Sequence, residues 1–212
     1  AHSASYAVES FQSLYLKTYY PIEFMVAVIN NFGGFYTTEL YVHEARMSGA
    51  TVHPPCVNMS KSLTCVHGID VYIGLGLIKE LQHKVIQDIV VQRELEGDYH
   101  SLEDFVNRVK IESKQLDLLI KIGAFRFTGM NNFELMWDKY AVYNPVQQQS
   151  VGLTCLFESE HVPHTLPPMP NLQHAQAFNE WELLGFPLCS PFSLVEDEIP
   201  NHIKVGQMSA YT

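Results

Sequence analysis

Long apolar runs are missing from this chain: nowhere do about 18 apolar residues follow one another, so no helical membrane span is predicted. Cysteine is sparse. Cys56, Cys65, Cys155 and Cys189 form neither a C-x-x-C pair nor a disulfide-framework spacing, which fits a reducing, cytoplasmic setting. Nucleophile elbows and local Cys–His signatures are also absent, which sets aside a Ser or Cys hydrolase. Positive charge is short as well. With 13 Lys and Arg against 23 Asp and Glu, the formal charge is -10, which argues against a general nucleic-acid binder. There is no initiating methionine and no targeting segment. Ala1 runs directly into an amphipathic pattern, so the expectation is an internal piece of a larger protein whose chemistry is centred elsewhere.

What is present suffices for a core. An apolar content of 47% in 212 residues supports one good-sized domain or two small ones. The cations are unevenly spread. Arg108, Lys110, Lys114, Lys121 and Arg126 share one short stretch, and after Lys139 only Lys204 remains against seven acidic residues. Only that basic cluster is expected to face a phosphate backbone.

Periodicity predicts a mainly α fold. Ala4, Val8, Phe11 and Tyr15 mark a first helix, and Pro21 opens a second with Phe24, Met25, Val28 and Ile29 on one face. A third runs from Phe35 to Met47, closed by Gly49. Residues 51–55 read as extended ahead of Pro54 and Pro55, and Leu63–Val66 with Val71–Ile73 read as a small β-hairpin about Gly68. Short paired helices follow. Ser101 with Asp104 and Asn131 with Glu134 give capping signatures, and Gly123 gives a left-handed C-cap. Beyond Pro145 the chain turns linker-like until a last helix at about 175–184. The expected units are a helical subdomain with the hairpin at 1–73, paired helices at 74–144, and an irregular extension at 145–212.

Paired short helices suggest tandem helix–hairpin–helix units, in which a tight turn and a helix N-terminus offer N–H groups to phosphate. The second unit places Ile122, Gly123 and Ala124 amid the basic cluster, so its amides, with Lys114, Lys121 and Arg126, are the expected DNA contacts. In the first unit the turn reads Glu80-Leu81-Gln82. Side chains block close approach and Glu80 repels phosphate, so a purely structural pair is favoured there.

The blocks His2–Ala7, Phe11–Lys17, Tyr20–Met25, Pro54–Asn58, Gly74–Lys79, Ser101–Phe105, Leu119–Phe125 and Leu183–Phe186 together resemble the alpha (catalytic) subunit of bacterial DNA polymerase III, in order along nearly the whole chain. The resemblance implies the end of a fingers domain, then a tandem helix–hairpin–helix region on duplex DNA, then a clamp-binding segment leading to an OB-type domain. It implies that palm carboxylates holding Mg2+ lie upstream. No Asp-x-Asp pair occurs here, so no cofactor and no catalytic residue is expected in this chain. It also places His2 and Lys17 near nucleotide phosphates, against the plainer reading of solvated residues on a packed helix. Leu153, Leu156 and Phe157 fall where a clamp-binding peptide would lie, although Leu153 occupies its usual glutamine position. The non-glycine first hairpin, Cys56 in place of a frequent Asp, and Leu153 depart from the family pattern and point to a diverged relative serving lesion bypass.

His53 and Cys56 with Cys65 and His67 could supply four zinc ligands, and His161 with His164 a weaker pair; surface histidines and packed thiols are the default, and no metal is expected. The function expected is a non-catalytic polymerase part that holds duplex DNA and tethers the enzyme to its clamp, with the rest of the polymerase as a further partner. The alternative is a helical protein-interaction module with no DNA contact.

Overall fold

The structure is a computed structural model that describes residues 2–32, 34–142 and 174–194. The mainly helical expectation is met. Helix α1 (His2–Tyr19) abuts α2 (Pro21–Asn30), whose first residue is the proline that sequence reasoning placed there. Helix α3 (Thr38–Met47) starts three residues later than expected. It ends in a Schellman closure: Gly49, at φ +96°, donates to Arg46 O, and Ala50 donates to Ala45 O at 3.0 Å.

Three short strands follow, β1 (Thr51–His53), β2 (Cys65–His67) and β3 (Asp70–Tyr72). The hairpin β2–β3 matches the expectation, while β1 adds to it in parallel, giving the order β1-β3-β2. Period-two alternation then sorts the residues. Val52, Val66 and Val71 turn inward against Met25, Val26 and Ala45 of α2 and α3. His53, Tyr72 and Cys65 lie side by side in register on the other face.

The paired helices come next: a 3₁₀ turn at Leu75–Leu77, α4 (His83–Glu96), α5 (Leu102–Arg108), α6 (Ser113–Lys121), a 3₁₀ turn at Arg126–Thr128, and α7 (Asn132–Val142). Both capping signatures form. Ser101 Oγ accepts from Asp104 N–H at 3.0 Å. Asn131 Oδ1 accepts from Phe133 and Glu134 N–H, while Glu134 Oε2 accepts from Asn131 N–H.

A last helix, α8 (Ala175–Leu184), packs back on this region rather than trailing from it. One apolar cluster runs from Ile29 and Val42 through Val57, Ile73, Leu75 and Phe105 to Leu183, Leu184 and Leu188. The core is thus continuous across the expected division at residues 73 and 74, and it takes in part of the stretch expected to be irregular.

Helix α1 departs from expectation. The helix forms as its amphipathic spacing predicts, but it is not packed as the plainer reading of His2 and Lys17 supposed: none of its residues is buried, and Phe11 is 71% exposed. Nothing among the described residues covers it.

Candidate nucleic-acid interface

The two hairpins differ in what their backbone N–H groups are doing. At the second, the bend after α6 closes that helix by the same Schellman pattern. Gly123, at φ +75°, donates to Ile120 O at 2.9 Å, and Ala124 donates to Leu119 O at 2.9 Å. Ile122 N–H bonds Leu118 O at 3.0 Å. The expectation that the Ile122, Gly123 and Ala124 amides face phosphate is therefore corrected: closing the helix uses those donors. Packing seals the bend further. Ile122, Ala124 and Phe125 are fully buried, Gln176 of α8 donates to Ile122 O at 3.0 Å, and Val57 N–H bonds Ala124 O.

Arg126 beside them is exposed, but its N–H groups are engaged within the protein. Its guanidinium donates to Gly123 O, to Pro54 O at 3.0 Å and to Pro55 O at 3.2 Å, and so ties the bend to the segment after β1. Burial of those donors pushes its pKa down from the usual arginine value, opposed by nearby Cys56 and Glu180. Arg108 is engaged similarly, on Gln92 O, Gly97 O and Asp104. Lys121 is half-exposed, with Nζ 3.9 Å from Glu182 Oε2. Lys114 is exposed in the first turn of α6. Lys114, Lys121 and Arg126 all reach the surface at this unit, but Arg126 already shares its N–H groups among three carbonyls.

The first hairpin has the opposite character. Gly74 and Gly76 run against residues 62–64 so closely that a Cβ on Gly74 would stand 2.5 Å from Leu63 C, and one on Gly76 2.8 Å from Ser62 O. The chain then bends left-handed at Glu80, φ +65°, where the resemblance implies glycine. The bend thus forms with a side chain at its left-handed position. Buried Leu81 anchors it. Gln82 is the N-cap of α4, and no side chain caps that helix. Helix geometry leaves the amides of the first turn without intrahelical partners. Around that open end Lys79, His83 and Lys84 are exposed, with Glu80 the one opposing charge on the bend. The signal for this site was in the sequence as two lysines flanking the bend; the repulsion assigned to Glu80 masked it.

Other expected residues fall as follows. His2 is exposed on α1 with its ring 4.8 Å edge-on to Tyr6. Lys17 reaches Glu44 of α3 at 3.9 Å. Fifteen residues of helix separate them by about 22 Å at 1.5 Å per residue, so the two are not brought together. Leu153, Leu156, Phe157, His161 and His164 lie outside the described residues. His53 bonds Asp70 Oδ1 at 2.8 Å and stacks on Tyr72, His67 meets the same ring edge-on, and Cys56 is buried in a turn beside the sheet. The four zinc candidates are not gathered. Among the described residues no group of three or more His, Cys, Asp or Glu could hold a metal ion, and no helix is long and apolar enough to cross a membrane.

Closely packed helix pairs and a glycine-lined bend make up a helix–hairpin–helix region, and the family described as "Helix-hairpin-helix motif" matches residues 49–135. The chain is homologous to one stretch of bacterial DNA polymerase III alpha subunits and error-prone DNA polymerases. It is 33% identical over 182 residues to the error-prone DNA polymerase of Mycobacterium tuberculosis, covering 84% of this chain and 16% of that protein. It is 33% identical over 176 residues to DNA polymerase III subunit alpha of Helicobacter pylori, covering 74% and 14%. The subunit from Thermus aquaticus is 33% identical over 134 residues, 61% of this chain and 11% of that protein. The chain spans about a sixth of the length of the curated relatives it matches.

Proposed function

We propose that this chain is a non-catalytic part of a DNA polymerase that holds duplex DNA by its sugar–phosphate backbone, chiefly through the first hairpin. One observation carries the reading: the start of α4 has no side-chain cap and lies among exposed Lys79, His83 and Lys84, whereas the bend after α6 is sealed. N–H groups at a helix start favour a phosphate oxygen, and the aligned peptide dipoles add partial positive charge there. Such contacts fix position on DNA without reading bases. Lys114 and Lys121 extend the contact along the second unit. No residue of the chain is given a role in nucleotidyl transfer.

The acidity of the chain keeps affinity low when it acts alone. Joined to further DNA-contacting parts, the hairpin gains from effective concentration instead. Clamp tethering through Leu153, Leu156 and Phe157 is a separate proposal resting on the resemblance, and pull-down of a sliding clamp with Leu156→Ala and Phe157→Ala tests it. A specific observation also favours a second role as a protein-interaction module: Tyr6, Phe11 and Tyr15 leave one side of α1 apolar and uncovered.

Charge reversal separates the two hairpins. Lys84→Glu weakens duplex binding by about tenfold, and the slope of log K against log[salt] becomes shallower by about 0.9 for each phosphate no longer neutralised. Arg126→Met leaves both unchanged in the folded protein. Equal reductions from the two variants, or none from Lys84→Glu, overturn the assignment.

A further inference from the structure

The left-handed bend at Glu80 is held by a side chain from the other helix pair. Gln115 lies on the inward stripe of α6 with Leu116, Leu119 and Ile120 and is only 7% exposed. Its Oε1 accepts from Gln82 N–H at 2.7 Å, and its Nε2 donates to Glu80 O at 3.1 Å. The amide orientation is fixed by its partners, because the oxygen meets a donor and the nitrogen meets an acceptor. One side chain thus brackets the bend on both sides of buried Leu81. The bend's other flank is pinned from α8, where Leu183 O accepts from Lys79 N–H at 2.8 Å.

We propose that Gln115 is the positioning residue of the duplex-contacting hairpin: its amide takes the place of a turn glycine, holding Glu80 left-handed so that the first-turn amides of α4 stay turned outward. The inference rests on the reading that this hairpin contacts DNA. Its physical basis is conformational. A residue with a Cβ is disfavoured at positive φ and persists there only when its surroundings over-determine it. Here two hydrogen bonds from a buried amide supply that constraint. Removing them leaves Gln82 N–H and Glu80 O without their partner and frees Glu80 to relax to negative φ. Because Gln82 is the N-cap of α4, such relaxation re-aims the helix start. Gln115 therefore couples the second helix pair to the first without touching DNA itself.

The test is a double-mutant design read by fluorescence anisotropy with a short duplex and the full 212-residue chain. Glu80→Gln and Glu80→Gly each remove the charge, but only glycine adopts the left-handed bend unaided. Gln115→Met, close to Gln in volume, is added to each. The expected result is about a tenfold drop in affinity in the Glu80→Gln background and less than about twofold in the Glu80→Gly background. Equal drops in both would mean that Gln115 matters only for packing, and no drop in either would mean that it matters not at all; both overturn the proposal. Hydrogen exchange at Gln82 N–H needs no folded variant: slow exchange in the unaltered chain supports the bracket, and exchange at the rate of an open amide refutes it. Lys84→Glu serves as the control for the DNA reading. If it leaves affinity unchanged, that reading fails, while the exchange measurement still decides whether Gln115 holds the bend.

Discussion

Arg126 donates to Pro54 O at 3.0 Å, which joins the bend after α6 to the segment leaving β1 across 72 positions of sequence. The interaction changes what this arginine is for. A guanidinium whose N–H groups already meet three carbonyls ties two segments together at the surface, and those donors are spent on the protein's own backbone.

Arg126→Met should therefore cost about 2 kcal/mol of stability, the scale of charged hydrogen bonds removed with their carbonyls left behind. Urea unfolding measures it. Duplex affinity of the folded variant should stay within about twofold of the original.

Tyr99 predicts a loss of stability in alkali. Its ring is buried and its hydroxyl donates to Ile89 O at 2.8 Å. Burial pushes its pKa up to about 12, against the pull of Arg108 and Arg93. A folded-state pKa above the unfolded value of about 10 favours the protonated form, so its contribution is complete below pH 10 and lost as pH rises towards 12. Tyr99→Phe should cost about 1 kcal/mol at neutral pH and flatten the decline between those limits. Unfolding curves collected across that window would show an unaltered slope if the hydroxyl is not responsible.

Gly74 tests the close approach that sets up the first hairpin. A Cβ there would meet Leu63 C at 2.5 Å and Thr64 N at 2.6 Å, both backbone atoms that cannot swing aside. Gly74→Ala should destabilise the fold by about 2 kcal/mol or more. Gly97→Ala offers a comparison, since nothing lies within 4 Å of its added carbon and only the strain of its φ of +82° remains. Thermal melts should rank Gly74→Ala well below it.

Helix α1 gives the converse expectation. Phe11→Ser should change stability by less than about 0.5 kcal/mol because the ring is already in water. The same change should lower binding of a hydrophobic dye. A large stability loss would mean that the stripe is covered in solution.

Local chemistry was the legible part of this sequence. Ser101 with Asp104, Asn131 with Glu134, and the glycine closure at Gly123 each act within a few residues, so spacing alone reveals them. Exposure was not legible. Arg108 and Arg126 read as part of a basic face, yet both guanidiniums are occupied by carbonyls that arrive from distant positions. Gly123 was recognised both as a C-cap and as a phosphate cradle, and the Schellman closure makes the two exclusive at this bend. The parallel pairing of β1 with β3 leaves no periodic trace in three residues. Gln115 did leave one: a polar residue four positions before Leu119, on the stripe that faces the core.

The central claim is that the open start of α4 meets the duplex while the bend after α6 does not. Amide chemical shifts of the isotopically labelled chain, followed while a short duplex is added, address it most directly. The account predicts progressive, salt-sensitive shifts at His83, Lys84 and Val85, with Ile122, Gly123 and Ala124 unmoved. Shifts concentrated at Ile122–Ala124, with the start of α4 silent, would contradict it.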